Sequence, residues 1–431
     1  MQKRQLKLGE LFVGAGGLGI GFILAEHPLV QFQPVFAIDN DANALKSYHT
    51  NLHWLYQHSK TSFDIIDCRA IRRDISTLNV LALLRFSRLK PGELDILIGG
   101  PPCQGYSSSN RTRKKESKSD RNRLTRVFMD KVMEICPRTF LLENVQGVQW
   151  TAPTNDMTVP RKQPLLPLYN DNGGESVNQD NELNSVQQFV IRKAQSEGYK
   201  VWYGVIDSAE FGVPQHRNRF FLYGVRKEIL PENSIVDLDV YLKNLLVPRF
   251  FNVEDAIGDL PPLENGKAHQ GDYQPSDNDY VRLMRRYMDN GELHDHFATR
   301  HEDYVLERYK RIKPGENWKA IKDLMGNYSN IENTHSNIYR RLQSDEPANT
   351  ITHYRKSMII HPTQHRGLSF REACRLQSFP DWFRFVGRTE EMQQQLANAV
   401  PPLLASRVAY AIAQFWVDHI KQIDDSSSET S

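Results

Sequence analysis

Two side chains of this 431-residue sequence have the types and the setting of a covalent nucleophile and its acid. Cys103 stands in GGPPCQGYS (99–107), where an apolar run ends. Prolines fix φ and restrict the residue before them, so Pro101 and Pro102 predict a stiff loop holding one thiol at a strand tip. A free thiol has a pKa near about 8.5; only a few per cent is thiolate at neutral pH, yet that form is a strong nucleophile. Glu143 lies near the end of the next strand-like run, TFLLENV (139–145). A thiol paired with a carboxyl acid suits attack on an electron-poor ring that must take a proton elsewhere. The third feature is the glycine turn VGAGGLG (13–19), in which Gly14, Gly16 and Gly19 satisfy G-x-G-x-x-G around Gly17. Glycines there permit a tight turn and close backbone approach to a ligand, and Asp39 is spaced to accept hydrogen bonds from ribose hydroxyls. This turn alone fits NAD, FAD or S-adenosylmethionine equally.

These residues need a scaffold that gathers them. LGELFVG (8–14), PVFAID (34–39), LDILIGG (94–100) and TFLLENV (139–145) are continuously apolar, as expected of strands buried on both faces of a parallel sheet. Stretches with helical spacing, such as 40–51, separate them, which predicts a doubly wound, mostly parallel, Rossmann-like α/β sheet. The glycines, Asp39, Cys103 and Glu143 all fall at the carboxyl ends of predicted strands, where open α/β sheets bind ligands. VWYGVID (201–207) and RFFLYGV (219–225) add two strands around a turn. Residues 1–228 form the catalytic and cofactor-binding domain in this reading, with a surface insertion at 151–185 rich in Asn, Asp, Gly and Pro. Residues 229–390 form a second, smaller domain. Helices over 391–420 return to the first domain; Pro401 and Pro402 suit a first helical turn, and Leu404, Val408, Ile412 and Phe415 give an apolar face. The tail 421–431 is expected to be disordered.

Composition narrows the partners. The formal net charge is +2, so nucleic-acid binding requires locally concentrated charge. The run 111–126 concentrates it, with eight Lys or Arg against Glu116 and Asp120. Such clusters commonly bind polyanions. The cysteines Cys68, Cys103, Cys136 and Cys374 are scattered without a CxxC pair, which argues against a disulfide framework or a structural metal site. No apolar run long enough for a membrane span and no secretory leader are read, so a cytoplasmic protein is expected. A monomer is expected as well.

Taken together, the motifs resemble the cytosine-carbon-5 DNA methyltransferase family over nearly the whole chain and in that family's order. LFVGAGG resembles its cofactor glycine motif, FAIDND its ribose motif and RRDIS (72–76) its adenine-contacting pair. GGPPCQGYS resembles the catalytic loop, ENV the catalytic carboxyl motif and QHRNR (215–219) the Q-x-R-x-R motif. REACRLQSFPDWF (371–383) and ANAVPP (397–402) resemble the last two, with Ala397 where the family usually carries Gly. The resemblance implies that Cys103 adds to carbon-6 of a cytosine flipped out of duplex DNA, that Glu143 hydrogen-bonds the base, and that Arg217 and Arg219 steady the flipped base and its backbone. It also implies S-adenosylmethionine as methyl donor, held by Phe12, Gly14, Gly16, Gly17, Asp39, Asn40, Asp74, Ile75, Pro101, Asn398 and Val400. Residues 229–390 would then be the target-recognition domain, with Arg282, Arg285, Arg286, Arg308 and Arg341 among its possible readers. No metal is implied, and a companion restriction endonuclease is expected by analogy. Three rivals are distinguishable: a tRNA cytosine methyltransferase by its substrate, a nicotinamide oxidoreductase by cofactor absorbance, and a silent DNA-binding module by the absence of covalent trapping.

Overall fold

The continuous apolar runs of the first half become the strands of one seven-stranded sheet. The computed structural model describes residues 3–59, 68–102, 123–145, 186–288, 292–327 and 337–420. Cys103, most of the basic run, the 151–185 insertion and the 421–431 tail lie outside the described residues. The first half runs β1 (Arg4–Leu11), α1 (Gly17–Ile23), β2 (Val30–Asp39), α2 (Ala42–His58), β3 (Arg69–Arg72), α3 (Val80–Phe86), β4 (Ile96–Gly99), α4 (Arg123–Ile135), β5 (Thr139–Val145), α5 (Val186–Ser196), β6 (Tyr199–Asp207) and β7 (Asn218–Arg226). The strand order is β3-β2-β1-β4-β5-β7-β6. β1 to β5 pair in parallel, whereas β7 runs antiparallel to both β5 and β6.

Local chemistry explains the elements that flank the sheet. Asp41 starts α2 by accepting from Asn43 N at 2.8 Å and Ala44 N at 3.0 Å, satisfying two of its free amides. Every residue of α1 is buried. A Cβ on Gly21 would collide with Ala405, so the missing side chain sets how closely α1 approaches its neighbour in the C-terminal part.

The remainder comprises α6 (Asp239–Leu242), α7 (Val253–Ile257), β8 (Ala268–Gly271), α8 (Asp279–Met284), β9 (Leu293–Phe297), α9 (Asp303–Arg311), α10 (Phe370–Leu376), α11 (Thr389–Asn398) and α12 (Pro402–His419). β8 and β9 form a separate two-stranded sheet. One core cluster runs from Leu6 and Ile96 of the large sheet through α10 to α12, where Leu404, Val408, Ile412 and Phe415 are fully buried. A second, distinct cluster holds Tyr309, Trp318, Tyr339 and Ile360. The stretch 389–419 is long and apolar enough to cross a membrane by composition alone; much of it is buried inside this fold, as in a core helix.

Buried ion pairs tie the second half together. Arg375 is fully buried and reaches Asp381 Oδ1 at 2.5 Å and Oδ2 at 2.6 Å, with Asp259 Oδ1 and Oδ2 both at 3.1 Å. Arg366 similarly grips Glu372 at 2.6 and 2.9 Å. Several arginines that could have read bases bond to other parts of the protein instead. Arg341 donates to the carbonyls of Ile312, Tyr309 and His361, Arg308 bonds Tyr339, and Arg285 and Arg286 pair with Asp259 and Glu26.

Candidate active site

β1 and β4 are adjacent at the centre of the sheet, and the chain leaves them toward opposite edges. Their carboxyl ends therefore open a crevice. A cleft of about 380 Å³ occupies it. Phe12, Gly14 and Gly17 line it from the β1 turn, and Asp39 and Asn40 from the end of β2. Asp74 and Ile75 border it past β3, and Asn398 and Val400 enter from the end of α11 and the link to α12. Pro102 and Glu143 complete it from the ends of β4 and β5.

Each wall has a physical cause. Asp39 Oδ2 accepts from Gly14 N at 2.8 Å and its Oδ1 from Asp41 N at 2.9 Å, so one carboxylate fixes both neighbouring turns. Burial raises its pKa, and these backbone donors oppose the rise. Asp74 accepts from Ser76 N at 2.9 Å and Ser76 Oγ at 2.7 Å, bonds that hold its exposed carboxyl below the usual range. Phe12 takes a left-handed φ of 59°, an uncommon conformation for a bulky residue that occurs where the strand turns into the cleft. Gly14 has φ 54° and open space where a Cβ would stand, whereas a Cβ on Gly17 would strike the Val400 carbonyl.

Two predicted cofactor contacts do not line the cleft. Gly16 starts α1 at φ 94°, and its missing side chain makes room for the Tyr48 ring behind the turn. Pro101 is buried, and the exposed Pro102 faces the cleft in its place.

Glu143 is buried, with Oε1 accepting from Arg219 Nε at 2.9 Å. Burial raises its pKa, and the cations of Arg219 and Arg217 restrain the rise. Its Oε2 lies where a side chain on Gly100 would stand. The carboxyl thus rests against the backbone three residues before Cys103, which is itself outside the described residues. The other thiols are placed for packing. Cys374 is fully buried, and burial pushes the Cys68 thiol up to about 12.

Arg217 departs from its expected contact with a flipped base. It is 2% exposed, and its guanidinium donates to the carbonyls of Ile351 at 3.0 Å, Ala397 at 2.8 Å and Ala399 at 3.1 Å. Gln215 completes the clasp, accepting from Ile351 N at 2.8 Å and donating to Leu376 O at 3.1 Å. The Q-x-R-x-R loop therefore fastens the segments around 351, 376 and 398 to the sheet, and Arg217 is a positioning residue.

Glu10 escaped the sequence reading. It is 2% exposed beneath the glycine turn, and its Oε1 accepts from Gly19 N at 3.1 Å. Burial drives its pKa well up, with Asp39 adding to the rise. An acidic residue inside the apolar run GELFV was the available signal. Gln394 and Gln395 also line the cleft, and nothing in their local sequence marks them.

The family described as C-5 cytosine-specific DNA methylase matches residues 6–159 and 171–414. The chain is 27% identical to the type II methyltransferase M.DdeI of Desulfomicrobium norvegicum, an alignment covering 97% of this chain and 91% of that protein. It is 28% identical to the type II methyltransferase M.AgeI of Thalassovita gelatinovora, over 94% of this chain and 99% of the other. Among solved structures, a DNA modification methyltransferase encoded within an E. coli prophage shares the fold, with a TM-score of 0.66 at 22% identity over 96% of this chain and all of that one. The doubly wound sheet whose switch point opens this cleft is thus matched along almost the whole chain, which belongs to the C-5 cytosine-specific DNA methylase family and is a DNA cytosine-5 methyltransferase.

Proposed function

We propose that this enzyme methylates a flipped cytosine in a specific duplex sequence through a covalent Cys103 adduct, with S-adenosylmethionine as donor. The observation that carries the reading is the placement of Glu143, buried with a raised pKa, on the same cleft as the glycine turn and Pro102. The cleft suits the donor: Asp39 offers a carboxylate for ribose hydroxyls, Phe12 and Ile75 apolar surface, and Gly14 a bare backbone. Gly17, Asn40, Asp74, Asn398 and Val400 would hold the remainder. When bound, S-adenosylmethionine supplies an electrophilic methyl group.

The chain's own residues prepare the base. A stacked cytosine hides its ring faces, so flipping must precede attack and costs a few kcal/mol. The basic run 111–126 directly follows the catalytic loop and offers phosphate contacts that offset this cost. Cys103 Sγ forms a bond to carbon-6, and the ring electrons displaced toward nitrogen-3 take up the proton carried by Glu143. Carbon-5 becomes nucleophilic; after its methylation, the carbon-5 proton passes to a solvent base, the S–C6 electron pair leaves with Cys103 as thiolate, and the nitrogen-3 proton returns to Glu143, which restores the ring. Burial favours the protonated Glu143 this needs, and Arg219 steadies the carboxylate that remains.

Residues 229–390 supply sequence recognition in this reading. The type II names of the relatives support a restriction–modification role. A companion endonuclease, a cytoplasmic location and a monomeric state belong to the same proposal. Bisulfite sequencing of a host genome expressing the chain tests the proposal. Protected cytosines in one short context are expected. 5-Methylcytosine confined to tRNA, or none despite folded protein, overturns it.

A further inference from the structure

A second cavity of about 290 Å³ lies apart from the catalytic cleft, between the C-terminal end of α1, the end of α8, the 378–382 turn and α12. Its walls mix apolar and polar groups, the apolar part including Leu24, Leu283, Met284, Trp382 and Leu403. Arg407 lines this space from α12, one turn after Leu403 and one before Tyr410. Its Nε is buried without a hydrogen-bond partner, and no carboxylate among the described residues pairs with it. Burial alone lowers its pKa, and no neighbouring charge contributes. Guanidinium stays charged in proteins. Arg407 is half-buried and has no counter-ion among the described residues, so an anion entering the cavity gains a charge-assisted hydrogen bond there.

Several other polar groups of the cavity are already engaged. Glu26, the carboxylate in the lining, is held by Arg286, with Tyr287 Oη at 3.5 Å. Ser378 Oγ accepts from Leu403 N at 3.1 Å, and Ser406 Oγ donates to Leu403 O at 2.9 Å. Arg407 is thus the cation of the lining that has no carboxylate partner among the described residues, with Tyr410 and Trp382 on the same walls, and the Arg286–Glu26 pair forms a polar border.

We propose that this cavity binds a small amphiphilic anion, a planar apolar body bearing one carboxylate, with the carboxylate on Arg407. Its volume is near the lower end of ligand pockets, about 300 Å³, and suits a ring system of roughly a dozen heavy atoms. The cavity bridges α1 and α12 of the sheet domain and α8 of the second half, so its occupant touches both parts of the enzyme.

Calorimetric titration of the full chain with 2-naphthoate, the cofactor cleft saturated with S-adenosylhomocysteine, tests this. One-to-one binding in about the millimolar range or tighter is expected for a probe of this size. The neutral isostere 2-naphthamide should bind about tenfold or more weakly, as should 2-naphthoate to Arg407→Leu. Methylation by Arg407→Leu at the wild-type rate certifies its fold. Absence of 2-naphthoate binding to the wild-type chain, equal binding of acid and amide, or unchanged binding by a folded Arg407→Leu each overturns the proposal. If the variant does not fold, the acid–amide comparison on the wild-type chain decides. Loss of this site leaves the methyltransferase reading untouched, because the two pockets share no lining residue.

Discussion

Glu10 shows how much of this site depends on a residue that touches neither base nor methyl donor. Its carboxyl is buried under the glycine turn and prefers its neutral form, so its contribution is full at low pH and is lost as pH rises through its raised folded pKa. Glu10→Gln keeps an acceptor for Gly19 N and cannot ionise. The variant should match the wild type near about pH 4 and gain on it toward about pH 8, read as urea midpoints. A wild-type advantage that grows with pH contradicts the assignment. Asp39 acts more directly, since its two oxygens hold the turns on either side of the cleft. Asp39→Ala should weaken S-adenosylmethionine binding by about 10–100-fold, the loss of one or two charge-assisted bonds. Equal affinity by calorimetry would remove Asp39 from the cofactor wall. Asp39 and Glu143 were legible because each lies at the carboxyl end of an apolar run. Glu10 was not singled out, because its meaning lies in an amide nine residues later.

At the scale of elements, the turn into α1 and the link into α12 are mutually fitted. Gly17 packs against the Val400 carbonyl, so Gly17→Ala should force the two apart. We expect about 1–3 kcal/mol of destabilisation and weaker cofactor binding. Gly14→Ala faces open space and should cost mainly its left-handed backbone, about 1 kcal/mol. A larger loss at Gly14 than at Gly17, by chemical denaturation, runs against this packing. The Q-x-R-x-R loop gives the complementary test. Arg217→Lys cannot reach three carbonyls at once and should lose about 2 kcal/mol or more. Because Arg217 is buried, the salt dependence of DNA binding should keep its slope; a fall of about 0.9 would mark a phosphate contact instead. Strands β1, β2, β4, β5, β6 and β7 were readable from apolar runs, as were α11 and α12 from their spacing and prolines. β3, β8 and β9 are four or five residues long and carry charged or His side chains, so no run marked them.

Across the whole molecule, one core joins the sheet to α10 and α12, and the walls of the cleft come from positions as distant as Phe12 and Val400. Fold class and the gathering of strand ends follow from a pattern local in sequence. The employment of the arginines does not, because it depends on partners such as Asp259 and Asp381 that only the tertiary fold brings near. Hence Arg308 and Arg341, read as possible DNA contacts, serve the second half's own packing. The central claim is covalent catalysis by Cys103 with Glu143 as its acid. The most direct test uses a duplex carrying 5-fluorocytosine at the methylated position, incubated with enzyme and S-adenosylmethionine and resolved under denaturing conditions. Carbon-5 then has no proton to lose, so a stable protein–DNA adduct mapping to Cys103 should accumulate. It should be absent for Cys103→Ser and at least about 100-fold slower for Glu143→Gln. An adduct formed at the wild-type rate by either variant, or none from an enzyme that methylates the unsubstituted duplex, would contradict the account.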